Sequence, residues 1–144
     1  MISNERQYAV TKSQAEHFRK TLARLHDPAQ KRDPRALKAM QAGVASQLEE
    51  LEAELAEYEK LRSGSVDTIV MDSILGIAEA LIKARIIRNW TQKDLGERLN
   101  LPEQQIQRYE ATQYKGVAVE RLQQVADALE IKVKEIITIE RSKS

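Results

Sequence analysis

The chain has 144 residues, a length that allows one ordinary domain or two small helical ones. Its composition is 42% apolar and 4% aromatic with five glycines and three prolines, which favours small helical units over a turn-rich β fold. The net charge of +1 predicts weak non-specific attraction to polyanions, and the lack of cysteine excludes disulfides and thiolate metal sites.

The first predicted helix belongs to an amino-terminal helical hairpin. Residues 1–10 show no clear period and are expected to form an arm or a short strand. A helix is predicted to begin near Thr11 or Ser13, because each has Gln or Glu three residues later, which is the spacing of a capping box. The apolar positions of this helix fall on one face and are Ala15, Phe18, Leu22 and Leu25.

A second helix is predicted from Pro34 to Arg62, after a polar loop. Asp33 is a suitable N-cap, and a proline at the first helical position costs no hydrogen bond. Apolar residues with alternating spacings of four and three form a stripe along this helix, at Val44, Leu48, Leu51, Leu55 and Tyr58. The stripe either packs on the first helix alone or also joins a second subunit or a partner protein, and the pattern leaves both options open.

Six glutamates surround this stripe, namely Glu49, Glu50, Glu52, Glu54, Glu57 and Glu59. We interpret them as a solvated face or, alternatively, as a surface for a basic partner. Their charge would repel nucleic-acid phosphates, so this helix is not expected to lie against a duplex. The Ser- and Gly-containing residues 63–67 are the best candidate for a boundary between a hairpin domain, residues 1–64, and a second domain, residues 65–144.

The second domain is predicted to contain five helices. Four of them are expected over residues 73–89, 90–99, 102–110 and 117–130. The fifth element is a last short segment, in which Ile131, Val133, Ile136 and Ile137 are available for packing. Thr91 is a plausible N-cap, and Asn100 tolerates the left-handed conformation that the turn between the two short helices needs. Two short helices joined by such a turn are typical of proteins that aim a helix into the major groove of DNA.

The core of this domain is expected to lie between and beneath the two short helices. Its members are Leu95, Leu99, Leu101 and Ile106 between the pair, and Leu81, Leu122, Val125, Ala126 and Leu129 beneath it. With Ile106 inward, the outward residues are Glu103, Gln104, Gln107 and Arg108, with Gln105 at the edge. Glutamine pairs bidentately with adenine and arginine with guanine, so this face predicts the reading of base edges.

Residues 81–130 resemble the Cro/C1-type (XRE) helix-turn-helix family. The positions that match in order and spacing are Leu81, Ala84, Arg85, Thr91, Gln92, Leu95, Leu99, Ile106, Tyr109 and Glu110. The resemblance implies an all-α protein with a five-helix, lambda-repressor-like domain that binds double-stranded DNA. Pro102 departs from the family because it replaces the usual Ser or Thr cap, and Glu103 departs because it is acidic on a face that meets phosphate.

The resemblance also implies a role for individual residues. Gln92 would contact a phosphate and brace the recognition helix. Glu103, Gln104 and Arg108 would contact bases, and Gln105 and Gln107 would contact backbone or bases. The loop residues that would lie along the phosphate backbone are Thr112, Tyr114 and Lys115. Arg85 and Glu110 would form an internal salt bridge, so both are assigned to structure.

The front half resembles, in layout, the amino-terminal region of HigA-type antitoxins. The shared features are a Glu-Arg-Gln-Tyr opening, two helices and an acidic stretch before the DNA-binding domain. This resemblance implies a toxin-binding surface on residues 1–62 and autoregulation of an operon.

No enzymatic activity, cofactor or metal site is expected. His17 and His26 are nine residues apart without a cysteine, no glycine-rich phosphate loop is present, and no serine has a suitably spaced base. No signal peptide or membrane-spanning run is recognisable, so a cytoplasmic location is expected. The sequence predicts a homodimeric repressor on an inverted-repeat operator. Its alternatives are an antitoxin that blocks a toxin, and an adaptor that has lost DNA affinity.

Overall fold

The computed structural model describes residues 1–142, and these residues form α-helices and loops without any β-strand. The all-α expectation is therefore confirmed. The helices are α1 (Glu5–Leu25), α2 (Pro34–Arg62), α3 (Ile77–Ile87), α4 (Gln92–Leu99), α5 (Glu103–Ala111) and α6 (Val119–Ala128), and a 3-10 turn, Ile74–Gly76, precedes α3. We call α1 and α2 the hairpin, and α3 to α6 the head. None of the helices within residues 1–142 combines the length and the apolar character that crossing a bilayer requires.

Helix α1 begins at Glu5, earlier than the sequence predicted, so the expected arm or strand was wrong for residues 5–10. Asn4 is the N-cap: its backbone is extended, and its side chain accepts a 2.8 Å hydrogen bond from the Gln7 backbone N–H. The Ser3 N–H donates to the Gln7 side chain at 2.8 Å. Most side chains of residues 5–10 are exposed, so these helical turns have no apolar stripe. Asn4 as N-cap is therefore the only local sign in the sequence that the helix begins here.

Helix α2 has the predicted bounds, with Asp33 at the N-cap position and Pro34 in the first turn, but the Asp33 side chain forms no capping hydrogen bond. Its apolar stripe packs on α1, where Ala15 and Leu25 are buried and Phe18 is half-buried. Four of the six surrounding glutamates have partners within the chain: Glu52 contacts Arg19, Glu54 the amino terminus, Glu57 Lys83, and Glu59 the Tyr8 hydroxyl. The acidic face is therefore largely used to hold the hairpin together and against the head.

One hydrophobic core runs through the hairpin and the head. Ile2, Leu55, Tyr58 and Leu61 share it with Leu81, Ile82, Leu95, Ile106, Val125 and Leu129. Burial, followed by the hydrogen bond that its hydroxyl donates to Glu5, raises the pKa of Tyr58 to about 12. Because the core is shared, the hairpin has a fixed position beside the head. The division of the chain into domains of residues 1–64 and 65–144 remains a prediction.

The head contains four α-helices, so the prediction of five helices was wrong for the last segment. Helix α6 ends at Ala128, and Glu130 adopts a left-handed conformation with φ of 56°. Ile131 is half-buried, but Ile136 and Ile137 are 94% and 86% exposed rather than packed. The β-branched residues of this segment favour an extended backbone over a helix.

The turn between α4 and α5 has the predicted left-handed Asn100, with φ of 55°. The Leu101 N–H donates to the Gly96 carbonyl at 2.8 Å, which closes the turn. A Cβ atom on Gly96 would lie 2.6 Å from the Leu101 carbonyl oxygen, so the glycine allows α5 to start close to α4. This turn fixes the angle at which α5 leaves α4.

Replacement of the α1 cap tests the new helix start. We expect Asn4→Ala to lower the free energy of unfolding by about 1 kcal/mol, because the Gln7 N–H loses its acceptor. Chemical denaturation followed by circular dichroism measures this change. The control Gln14→Ala, at an exposed position of α1, should change stability by less than about 0.5 kcal/mol. Equal effects of both changes would argue against Asn4 as the cap.

Candidate nucleic-acid interface

The side chains of α5 divide into a buried and an exposed set. Ile106 and Glu110 are buried, and Ile106 has no exposed surface. Gln105 is half-buried, whereas Glu103, Gln104, Gln107 and Arg108 are exposed. Four polar side chains thus stand on one helix whose opposite face is anchored in the core, and two of their types, Gln and Arg, have donors and acceptors suited to base edges.

Helix α4 begins with a capping box. The Asp94 N–H donates to the Thr91 hydroxyl at 3.0 Å, and the Asp94 carboxylate accepts from the Thr91 N–H at 2.8 Å. The hydrogen bond from the Thr91 backbone holds the pKa of Asp94 below its ordinary value. The box confirms Thr91 as the N-cap and fixes the start of the helix that supports α5.

A buried ion pair connects α3 to α5. The Arg85 Nε donates to Glu110 Oε2 at 2.7 Å, and the Arg85 Nη2 donates to Glu110 Oε1 at 2.8 Å. The same guanidinium donates to the carbonyl oxygens of Trp90, at 2.8 Å, and Ser3. The Gln92 amide adds a 3.0 Å hydrogen bond to Glu110. This network joins the amino terminus, α3, α4 and α5, and it fixes the position of the α5 surface.

Two residues expected at phosphates, Gln92 and Tyr114, are buried. Gln92 is only 8% exposed, and its amide donates a hydrogen bond to Glu110, which braces α5. A contact between Gln92 and a phosphate remains a prediction. Tyr114 was expected in the phosphate-facing loop, but it is a core residue with 4% exposure. Its ring packs 5.4 Å from that of Tyr109, and burial raises the pKa of Tyr114. A phenol in the core cannot face a phosphate, so that expectation is corrected.

The remaining loop residues stay at the surface. Thr112 and Lys115 are both exposed, and the Thr112 hydroxyl donates to the Arg108 carbonyl oxygen at 2.9 Å. The loop turns through left-handed backbone at Gln113, Tyr114 and Gly116. Lys115 therefore extends the polar surface of α5 with one cation.

Arg6 is a residue of this surface that the sequence did not indicate. An open groove of about 430 Å³ separates the start of α1 from α4 and α5, and Arg6 lines it together with Gln92, Glu103 and Gln107. Arg6 is exposed and forms no ion pair within residues 1–142. The only hint of Arg6 in the sequence was the excess of nine basic over four acidic residues at positions 1–40. No local pattern shows that α1 begins beside α5.

Removal of the charge of Glu110 tests whether the buried pair supports this surface. We expect Glu110→Gln to lower the free energy of unfolding by about 3 kcal/mol, because Arg85 would keep a buried charge without a counter-charge. Urea denaturation measures the loss. The control Glu52→Gln breaks an exposed ion pair with Arg19 and should cost less than about 1 kcal/mol. A Glu110→Gln protein as stable as the control would contradict this role.

Comparison with known proteins adds one match. Residues 80–142 match the family described as Cro/C1-type HTH DNA-binding domain. The match begins within α3 and includes α4, α5, α6 and the segment that follows them. No curated protein and no solved structure matches the chain.

Proposed function

Residues 80–142 form a Cro/C1-type helix-turn-helix DNA-binding domain, the chain is a DNA-binding transcription regulator, and we propose that it acts as a dimeric repressor of its own promoter. The observation that supports this proposal is the surface of α5. Its Gln104 and Arg108 are exposed on a helix anchored through Ile106 and Glu110. A rigid helix with such side chains fits the major groove of DNA.

We divide the contacts by chemistry. Gln104 and Arg108 read base edges, with Gln105 and Gln107 beside them, and Glu103 accepts a hydrogen bond from a cytosine amine. Thr112 and Lys115 contact the phosphate backbone on one side of α5, and Arg6 contacts it on the other. Gln92 acts mainly through Glu110, as a positioning residue. Phosphate contacts set the orientation of α5, and base contacts set the sequence that it reads.

Dimerisation follows from the small number of base pairs that one helix reads. Two heads on half-sites spaced by about one helical turn of DNA multiply the discrimination of a single head. An inverted repeat would match the two-fold symmetry of such a dimer, and binding over a promoter would exclude RNA polymerase. The repressor mechanism is therefore occlusion.

Gel-shift and footprinting experiments with the DNA upstream of the chain's own gene test the function. We expect a protected inverted repeat and an affinity at least about 10³-fold above that for random DNA at equal salt. Equal affinity for both DNAs at several salt concentrations would refute sequence-specific repression.

Two substitutions test the division of labour. We expect Arg108→Ala to cost about 1–3 kcal/mol on the operator and to relax the preference at one base pair. Lys115→Ala should weaken operator and random DNA alike and reduce the slope of log affinity against log salt by about 1. Fluorescence anisotropy at several salt concentrations measures both. Equal losses on operator and random DNA for both variants would contradict the division.

Arg6 is tested against a matched cation on the same helix. Arg6→Ala should weaken binding to all DNA sequences and reduce the salt slope by about 1, because one phosphate contact is lost. Lys20→Ala removes the same charge about 21 Å further along α1 and should leave the salt slope unchanged. Identical slopes for the two variants would show that α1 does not reach the duplex.

A HigA-like antitoxin is the second candidate. Its toxin-binding surface would lie on residues 1–62. Of the six glutamates of α2, the exposed Glu49 and Glu50 form neither an ion pair nor a side-chain hydrogen bond within residues 1–142. We rank it below the repressor because the other four glutamates contact groups of the chain itself. Calorimetric titration of the full chain with the product of a neighbouring gene tests it: nanomolar binding that Glu49→Lys weakens would favour the antitoxin.

A further inference from the structure

The side of α2 that points away from α1 is uncovered in the first half of the helix. Between residues 35 and 50, the half-buried residues lie on the side that faces α1, and they are Leu37, Gln41, Val44 and Leu48. The opposite side consists of exposed residues that also recur at spacings of three and four, namely Arg35, Ala39, Ala42, Gly43, Ser46 and Glu50. We call these six residues the back face of α2.

The two ends of the back face have opposite charges. Arg35 lies at its amino-terminal end and Glu50 at its carboxy-terminal end, with Lys38 and Glu49 beside them. All four side chains are exposed, and none forms an ion pair or a side-chain hydrogen bond within residues 1–142. The other four glutamates of α2 do have partners inside the chain. The free charges therefore fit an identical face turned end for end.

Gly43 gives the middle of the back face room for a second helix. A Cβ atom on Gly43 would meet nothing within 4 Å. A glycine inside a helix lowers its stability relative to alanine, and no contact within residues 1–142 requires the side chain to be missing. The neighbours of Gly43 on this face are also small, so a second helix can approach closely between the two charged ends.

We propose that the back faces of two copies pack on each other as antiparallel helices, with a two-fold axis between Ala42 and Gly43. In this register Arg35 of each copy lies opposite Glu50 of the other copy, and small residues meet between these pairs. The two-fold symmetry repeats every contact, so each dimer contains two such ion pairs. It also gives a closed dimer rather than an open chain of copies.

Other arrangements leave the charges without partners. In a parallel pair, Arg35 and Glu50 would each lie beside their own copies, and like charges would meet. An antiparallel axis two residues closer to the carboxy terminus would leave Glu50 opposite Ala39. It would also place Arg35 opposite Glu54, which already contacts the amino terminus. Only the axis between residues 42 and 43 brings the unlike free charges at the two ends together.

The pairing places the two heads at opposite ends of the paired helices. Glu57 of α2 contacts Lys83 of the head, and it lies about 22 Å along the helix from the proposed axis. Two separate heads on one rigid connection are what binding to two half-sites requires. This inference rests on the proposed dimeric repressor and names its dimer contact.

Charge reversal tests the contact and its orientation. Glu50→Arg and Arg35→Glu each replace the two unlike pairs of the dimer by two like pairs. Each should therefore raise the dimer dissociation constant at least about 10-fold. The double variant Arg35→Glu/Glu50→Arg restores unlike pairs and should dimerise as the native chain does. Sedimentation equilibrium measures the dissociation constant from the change between 16.4 kDa and twice that mass.

Lys20→Glu is the matched control, because Lys20 is an exposed cation of α1 that forms no ion pair within residues 1–142. It should change the dissociation constant by less than about 2-fold. Single variants no weaker than this control would overturn the proposal, as would a double variant no stronger than the single ones. A native chain that stays monomeric over the whole concentration range would overturn it as well, and the back face would then be free for a different protein.

Bulk at Gly43 gives a second test, in which two readouts move in opposite directions. Gly43→Gln introduces a better helix former, so the thermal midpoint of the dilute, monomeric chain should not fall. The longer side chain blocks close approach, so the dimer dissociation constant should rise about 10-fold or more. Ala56→Gln adds similar bulk at an exposed position of α2 beyond the paired residues and should leave dimerisation unchanged. Equal dimerisation of the two variants would contradict close packing at Gly43.

The outcomes separate this inference from the proposed function. If Glu50→Arg remains a dimer as tight as the native one and still binds the operator, pairing through α2 is wrong and the repressor stands. If the double variant restores the dimer that the single variants lose, but the native chain does not distinguish its promoter from random DNA, pairing through α2 stands and the repressor is wrong.

Discussion

The buried contact between Arg85 and Glu110 is the interaction on which the exposed surface of α5 depends. The two side chains are 3% and 2% exposed, so neither charge has water to stabilise it. A buried ion pair is tolerated only when its remaining hydrogen-bonding groups are satisfied. Here the guanidinium donates to Glu110, Trp90 and Ser3, and the carboxylate also accepts from Gln92. Groups far apart in the chain therefore fix one helix in one orientation.

The Ser3 carbonyl brings the hairpin into this arrangement. Because Arg85 donates to Ser3, the start of α1 is attached to the same guanidinium that holds α5. The ion pair of Lys83 with Glu57, at 3.1 Å, provides a second link on the side of α2. The hairpin is thus placed beside the head by specific contacts as well as by apolar packing, which explains how Arg6 comes to lie near Gln107.

The sequence predicted those features that depend on local signals. Asp33 and Pro34 marked α2, Thr91 and Asn100 marked the bounds of α4, and the position of Ile106 separated the two faces of α5. Features that depend on distant contacts were missed. The place of Tyr114 in the core and the nearness of Arg6 to α5 follow from packing between segments far apart in the chain. The segment after α6 was expected to supply a fifth helix because its apolar residues were assumed to pack on the core, but Ile136 and Ile137 are exposed.

The division of α5 into buried and exposed residues has an evolutionary consequence. Only Ile106 and Glu110 of this helix are buried, so substitutions at Gln104 or Arg108 should leave folding almost unaffected. With the base contacts proposed for α5, mutation can therefore explore new target sequences while the scaffold stays intact. A duplicated gene of this kind could acquire a separate set of regulated promoters through two or three codon changes, and an engineer could redirect the protein by randomising the same few positions.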